Sequence, residues 1–195
     1  MKFTRIPADT FKMLQLNAGV LMTTFTPATG KIDDKAQIGA TSGGITFTAT
    51  PTYSDFGEDI DNCPKNTKEL KRLDEWEVTM SGTFVAADTA IAKRLVGAAD
   101  IDTQDTTKVT PRNDLADADF SDIWFVGDYS DQNGEANGGF IAIKLINALS
   151  TGGFQLQTSD KAKGQFSFTF TGHYSIAAQG TVPFEIYIKA GTAEA

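Results

Sequence analysis

The amino-acid sequence predicts a mainly β fold: two packed antiparallel sheets, a β-sandwich or barrel, with one short α-helix on its flank. Three observations predict it. Period-two alternation of apolar and polar residues dominates wherever a pattern is readable. The composition, with 14 Phe and 18 Gly in 195 residues, favours strands and turns over helices. Helix start and stop signals occur together in one segment.

"KMLQL" and "GVLMTTF" read as two N-terminal strands. In "ITFTATPTY", Ile45, Phe47, Ala49 and Tyr53 share one face, and Thr46, Thr48, Thr50 and Thr52 the other. Pro51 has no N–H for a ladder, so this strand ends there or runs along an edge. "EWEVTMSGTF" places Trp76, Val78, Met80, Gly82 and Phe84 opposite Glu75, Glu77, Thr79 and Ser81. Asp88 is placed to cap "TAIAKRLV", where Ile91 and Leu95 share a face, Lys93 and Arg94 occupy the last turn and Gly97 suits a left-handed stop. "DIWFVG", "FIAIKLI", "GFQLQT" and "PFEIYIKA" are further strands. "QFSFTFTGHY" repeats the pattern of "EWEVTMSGTF", with Gly172 where the first has Gly82. A helix succeeds the first and a turn and strand the second, so the pair reads as two central strands of one sandwich rather than a duplication. The glycines then mark bulges or close backbone approach.

The chain reads as a single domain, 1–195, with two long connections. Ser54 to Asp74 mixes acids, bases, Pro and Asn; 99–122 is heavily acidic. Connections of this length tend to be functional or disordered. "DYSDQNGEANGG" has the Asn-Gly signals of an antiparallel turn.

The formal net charge of −8 and a pI near 4.6 argue against a DNA-reading surface. One cysteine, Cys63, offers no internal disulfide. No signal peptide or membrane-length apolar run is evident, so the chain is expected to fold in a reducing cytoplasm without membrane insertion. Catalytic signals are sparse. His173 is the only histidine, and it reads as a solvated or interface residue on the polar face with Ser167, Thr169 and Thr171. A zinc site needs more Cys and His than the chain has. Asp128, Asp131, Asn133 and Glu135 fail an EF-hand register, because Tyr129 and Phe140 then occupy ligand positions. Glu58/Asp59/Asp61 and Asp117/Asp119 read as solvated carboxylates. The expectation is a non-enzyme with no cofactor and no metal.

Gly43 to Asp100, "GGITFTATPTYSDFGEDIDNCPKNTKELKRLDEWEVTMSGTFVAADTAIAKRLVGAAD", resembles the major tail tube proteins of long-tailed, siphovirus-like bacteriophages. "DLADADFSDIWFVGDYSD", "GGFIAIKLINALSTGGFQLQTSDKAKGQFSFTFTGHYS" and "VPFEIYIKAG" resemble the same family in the same order. The resemblance covers nearly the whole chain and rests on element arrangement rather than on a catalytic motif.

The resemblance implies a fold similar to type VI secretion tube proteins. It implies hexameric rings, stacked into a tube that conducts DNA from capsid to cell. The implied partners are further copies of the chain, the tail terminator, baseplate or distal tail proteins, the tape measure protein and then double-stranded DNA held without sequence-specific contacts. The implied location is the virion tail, assembled in the host bacterial cytoplasm. Six copies carry a formal charge of about −48, which repels phosphate within a Debye length of about 8 Å. Two faces are candidates for the lumen: Glu75, Glu77, Thr79 and Ser81, or Thr46, Thr48, Thr50 and Thr52. By its position in the family, the 54–74 loop is the candidate for subunit or ring contacts. Phe56 is its apolar anchor, and Glu58, Asp59 and Asp61 are complementary to Lys65, Lys68, Lys71 and Arg72. A carbohydrate-binding sandwich and a capsid decoration protein are the competing classes.

Overall fold

The computed structural model describes residues 6–130 and 138–192. Its strands are β1 (Gln15–Met22), β2 (Gln37–Gly39), β3 (Thr41–Asp55), β4 (Lys71–Phe84), β5 (Ala99–Ile101), β6 (Val109–Pro111), β7 (Ser121–Tyr129), β8 (Gly139–Ser150), β9 (Gln155–Gln157), β10 (Gln165–Thr171) and β11 (Phe184–Lys189). Among the described residues a single α-helix, α1 (Thr89–Val96), follows β4. The fold is mainly β, as predicted.

Nine strands form one antiparallel sheet in the order β2-β1-β7-β8-β10-β4-β3, with β11 beside β8 and β9 beside β10. The sheet folds over because β8 changes partners along its 12 residues. Residues 140–145 of β8 pair with β11, whereas Leu149 and Ser150 pair with β10. The two halves face each other across one core, where Leu21, Ile123, Phe125, Ile143 and Leu145 meet Val78, Met80, Phe84, Phe168 and Phe170.

β7 is buried along Ile123–Gly127, so its run does not alternate. Ile123 and Phe125 join the main core. Trp124 and Val126 point the other way, into a second cluster with Met22, Phe25, Ala36, Phe140 and Ala142. Phe25 closes that cluster edge-on against Trp124 (5.8 Å) and Phe140 (5.2 Å). A strand buried on both faces reads as an unbroken apolar run, and "IWFV" is one.

The echoing segments are β4 and β10, and they are direct neighbours. Phe168 lies opposite Gly82, and Phe170 opposite Met80. A Cβ on Gly82 would stand 2.7 Å from Phe168 Cζ, so the glycine makes room for the aromatic ring of the partner strand. On Gly172 it would meet Leu145 Cδ1 at 2.7 Å and Pro183 O at 2.9 Å. Both glycines serve close approach, and Gly82 also borders a register shift of β3 between Thr41 and Ile45.

Helix α1 forms as predicted. Asp88 accepts from the Ile91 N–H at 2.7 Å, Ile91 and Leu95 are buried, and Gly97 ends the helix at φ 85°. Pro51 lies on β3, the last strand of the sheet, so its missing N–H costs no described ladder bond.

Four expectations are corrected. The two N-terminal strands are one, β1, interrupted by a register shift between Leu16 and Val20, where Asn17 and Gly19 take positive φ. The 54–74 loop shrinks to 56–70, because β3 and β4 continue pairing as far as Asp55 opposite Lys71. The acidic connection is no open loop: β5 and β6 pair within it, and the Arg112 N–H donates to Ala98 O. His173 lies past the end of β10, half-buried against Phe120, with Nδ1 3.1 Å from Asn147 O. The predicted turn carrying Asp131, Asn133 and Glu135 lies outside the described residues.

Candidate assembly surface

The β3–β4 register settles which candidate face is which. Thr46 pairs with Ser81, Thr48 with Thr79, Thr50 with Glu77 and Thr52 with Glu75. The two lumen candidates, alternatives in the sequence, are thus a single surface on one side of the hairpin. Residues directly opposite in an antiparallel pair project to the same side, so register alone merges them.

That surface continues across β10. Ser167 pairs with Thr83, Thr169 with Ser81 and Thr171 with Thr79, and β9 adds Gln155 opposite Ser167. Thr171 also shares a 2.8 Å hydroxyl contact with Thr151. The inward residues of the same strands, including Phe47, Val78, Met80, Phe84, Phe168 and Phe170, fill the core. The outward face is therefore hydroxyl and amide, with no Lys or Arg at any of these outward positions. Its only carboxylates, Glu75 and Glu77, sit towards the turn end of β4. The combined surface is chiefly neutral and polar.

The chain's carboxylates concentrate elsewhere. Residues 99–122 are held by Arg112, whose Nη2 donates to Asp119 at 2.6 and 2.8 Å and whose Nη1 donates to Asp114 O at 3.1 Å. Its Nε lies 2.8 Å from Asp100 Oδ2, off the N–H axis, so that contact is an ion pair without a hydrogen bond. The Asp119 side chain is 1% exposed. The Ala116 N–H holds its carboxyl below the ordinary value of 3.8, and Arg112 adds to that, partly offset by burial. Arg112 was not singled out from sequence. The only signal there was a lone arginine among aspartates, which has no fixed spacing to mark it.

The contact-loop candidates divide. Lys71 and Arg72 are on β4, Lys68 is in a short 3-10 turn, and Phe56, Glu58, Asp59, Asp61 and Lys65 lie in the connection. That segment is ordered by its own bonds. Asp55 accepts from the N–H groups of Gly57 and Asn66, both at 2.9 Å, and these hold its carboxyl below the ordinary range. Lys71 donates to Asn66 Oδ1 at 2.9 Å and lies over the Tyr53 ring. Arg72 pairs with Asp74 at 3.5 Å. Phe56 is 58% exposed, and Tyr53, Ile60 and Leu73 are exposed with it. Sequence reasoning missed Ile60 and Leu73, and it placed Tyr53 on the apolar face with Ile45, Phe47 and Ala49, whereas Tyr53 follows a register shift after Thr52 and is exposed. Within the chain, no ion pair joins Glu58, Asp59 or Asp61 to a base among the described residues; the complementary pairing anticipated for them is between adjacent copies.

Among the described residues, no group of three His, Cys, Asp or Glu side chains is placed to hold a metal ion, and no helix is long and apolar enough to cross a membrane. No protein-family model matches the chain, and no curated protein matches it.

Proposed function

We propose that this chain is the building block of a phage tail tube, in which six copies close into a ring and rings stack into a conduit for DNA. The outward face of β3, β4, β10 and β9 lines the bore. Its hydroxyl and amide groups give passing phosphates nothing cationic to bind, while Glu75 and Glu77 add a weakly repelling band. On this reading the partners are other copies of the chain, the terminator and baseplate that cap the tube, and the tape measure protein and DNA inside it. The location is the virion tail, assembled in the host bacterial cytoplasm.

The observation that carries the reading is the amount of surface left uncovered. A compact monomer of 20.9 kDa exposes about 9,000 Å². This chain exposes 12998 Å². The excess of about 4,000 Å² fits a chain that leaves surface for neighbours to cover, and large apolar side chains such as Phe56, Ile60 and Leu73 are part of what is exposed. A subunit in a stacked ring has two lateral neighbours and at least two axial ones to cover it. Among the described residues no strand pairs with the outer edge of β3, which supports lateral closure, since an open edge is a template for a further strand.

Negative-stain electron microscopy of the purified full chain tests the proposal. Rings with a central hole, alone or stacked, are the expected result. Compact single particles at every concentration and salt would overturn it, and trimers without a hole would favour the decoration reading.

A further inference from the structure

The two ends of the β3–β4 hairpin carry complementary chemistry. β4 begins at the 56–70 turn and ends at Phe84, just before α1, so the turn and the helix lie about 43 Å apart along the strand. At the turn end, Phe56 (58% exposed) and Ile60 (51%) stand beside Glu58, Asp59 and Asp61. None of these three carboxylates has an ion-pair partner within the chain among the described residues.

At the helix end, a groove of about 230 Å³ runs between α1 and the acidic connection, lined by Ala90, Lys93, Arg94, Gly97, Ala118 and Ser121. Arg94 Nη1 donates to Ser121 Oγ at 2.8 Å. No carboxylate pairs with Arg94 among the described residues. Asp119, which also lines the groove, is hydrogen-bonded to Arg112 (2.6 Å) and the Ala116 N–H (2.8 Å), and the charge of Lys93 adds a weaker pull on it, which leaves Arg94 without a carboxylate partner among the described residues. Loss of water around the Arg94 guanidinium lowers its pKa, and no counter-charge offsets that effect. A partly desolvated cation with one neutral partner is costly until an anion joins it.

We propose that the Lys93–Arg94 groove receives a carboxylate from the 56–70 turn of a second copy, so that chains stack head to tail. The inference rests on the tube reading and assigns its axial contact. Such a contact is heterologous: the two surfaces differ, so it propagates without closing, as ring stacking requires. Two further features fit a second copy as the occupant. Phe56 and Ile60 supply apolar area beside the carboxylates, and the helix-side Leu115 is 57% exposed. The same turn carries Lys65 and Lys68, and the 99–122 connection, which lines one side of the groove, holds seven acids against two bases.

The test uses full-length protein and counts stacked rings by electron microscopy. Arg94→Glu is expected to leave single rings and abolish stacks, since each reversed contact weakens ring-on-ring affinity by roughly ten-fold or more. Glu58→Lys/Asp59→Lys/Asp61→Lys, on an exposed turn where folding is not at issue, is expected to do the same. Combining both sets is expected to restore stacks. Wild-type stacking by Arg94→Glu, or no restoration in the combined variant, would overturn the groove assignment while leaving the rings intact. Wild-type protein that forms no rings would overturn the tube reading itself. A circular dichroism melt of Arg94→Glu matching wild type confirms that lost stacking is not lost folding; if it melts early, the turn variant alone decides.

Discussion

Substituting Gly82 with Ala tests why the repeated strands carry a glycine. The new Cβ would sit 2.7 Å from Phe168 Cζ and 3.1 Å from Gly44 O. Comfortable carbon contacts lie at about 3.5–4.0 Å, so the ring must retreat by close to 1 Å. It has little room: Phe168 is 2% exposed and packed against Phe84 at 4.5 Å and Phe170 at 5.3 Å. Overpacking of this kind costs about 1–3 kcal/mol. At about 2–4 °C per kcal/mol for a chain of this size, Tm falls by roughly 2–12 °C. Urea unfolding followed by circular dichroism at low protein concentration reads the change directly. Phe168→Leu removes the clashing ring edge at its own cost in burial, so the double variant loses less than the two single losses summed. A coupling of at least about 0.5 kcal/mol is expected. Additive losses, or a Gly82→Ala variant as stable as wild type, would refute the account of the glycine.

Two further outcomes are expected. The Asp119 carboxyl titrates lower in the folded chain than its ordinary 3.8, so its contribution is present above that pH and lost as pH falls through the folded value. Asp119→Asn should therefore lower Tm at neutral pH and flatten the acid limb of a Tm-against-pH curve; an unchanged limb would show that the Arg112 cluster is not a source of acid sensitivity. Within the tube reading, Glu75→Lys with Glu77→Lys places two cations per copy on the proposed bore face. Rings should still form while DNA ejection slows, measured as dye-labelled DNA release, and an unchanged ejection rate would remove those side chains from the bore.

Much of the architecture was legible because its signals are local. Alternation of Thr46–Thr52 against Ile45–Ala49 needs only strand geometry, and Asp88 and Gly97 mark a helix whatever surrounds it. The errors arose where the cause was distant. The shrinkage of the 54–74 loop comes from Asp55 pairing opposite Lys71, a cross-strand bond that neither residue announces. The 99–122 connection reads as solvated acid until Arg112 is seen to gather Asp100, Asp114 and Asp119. Arg94 carries no mark in sequence beyond a favourable place in a last turn; only packing shows that it is short of a counter-charge.

By itself the sequence determined the strand content, the single helix and its ends, and the segregation of apolar from hydroxyl side chains, because each depends on backbone periodicity and on contacts a few residues apart. Register decided the rest. Bringing Thr50 beside Glu77 and Thr169 beside Ser81 made one polar surface out of two candidates, and placing the 56–70 turn at the far end of β4 from α1 gave the hairpin chemically different ends. Pairing between strands far apart in the chain is a property of the folded sheet, and alternation within a strand is the same in every register.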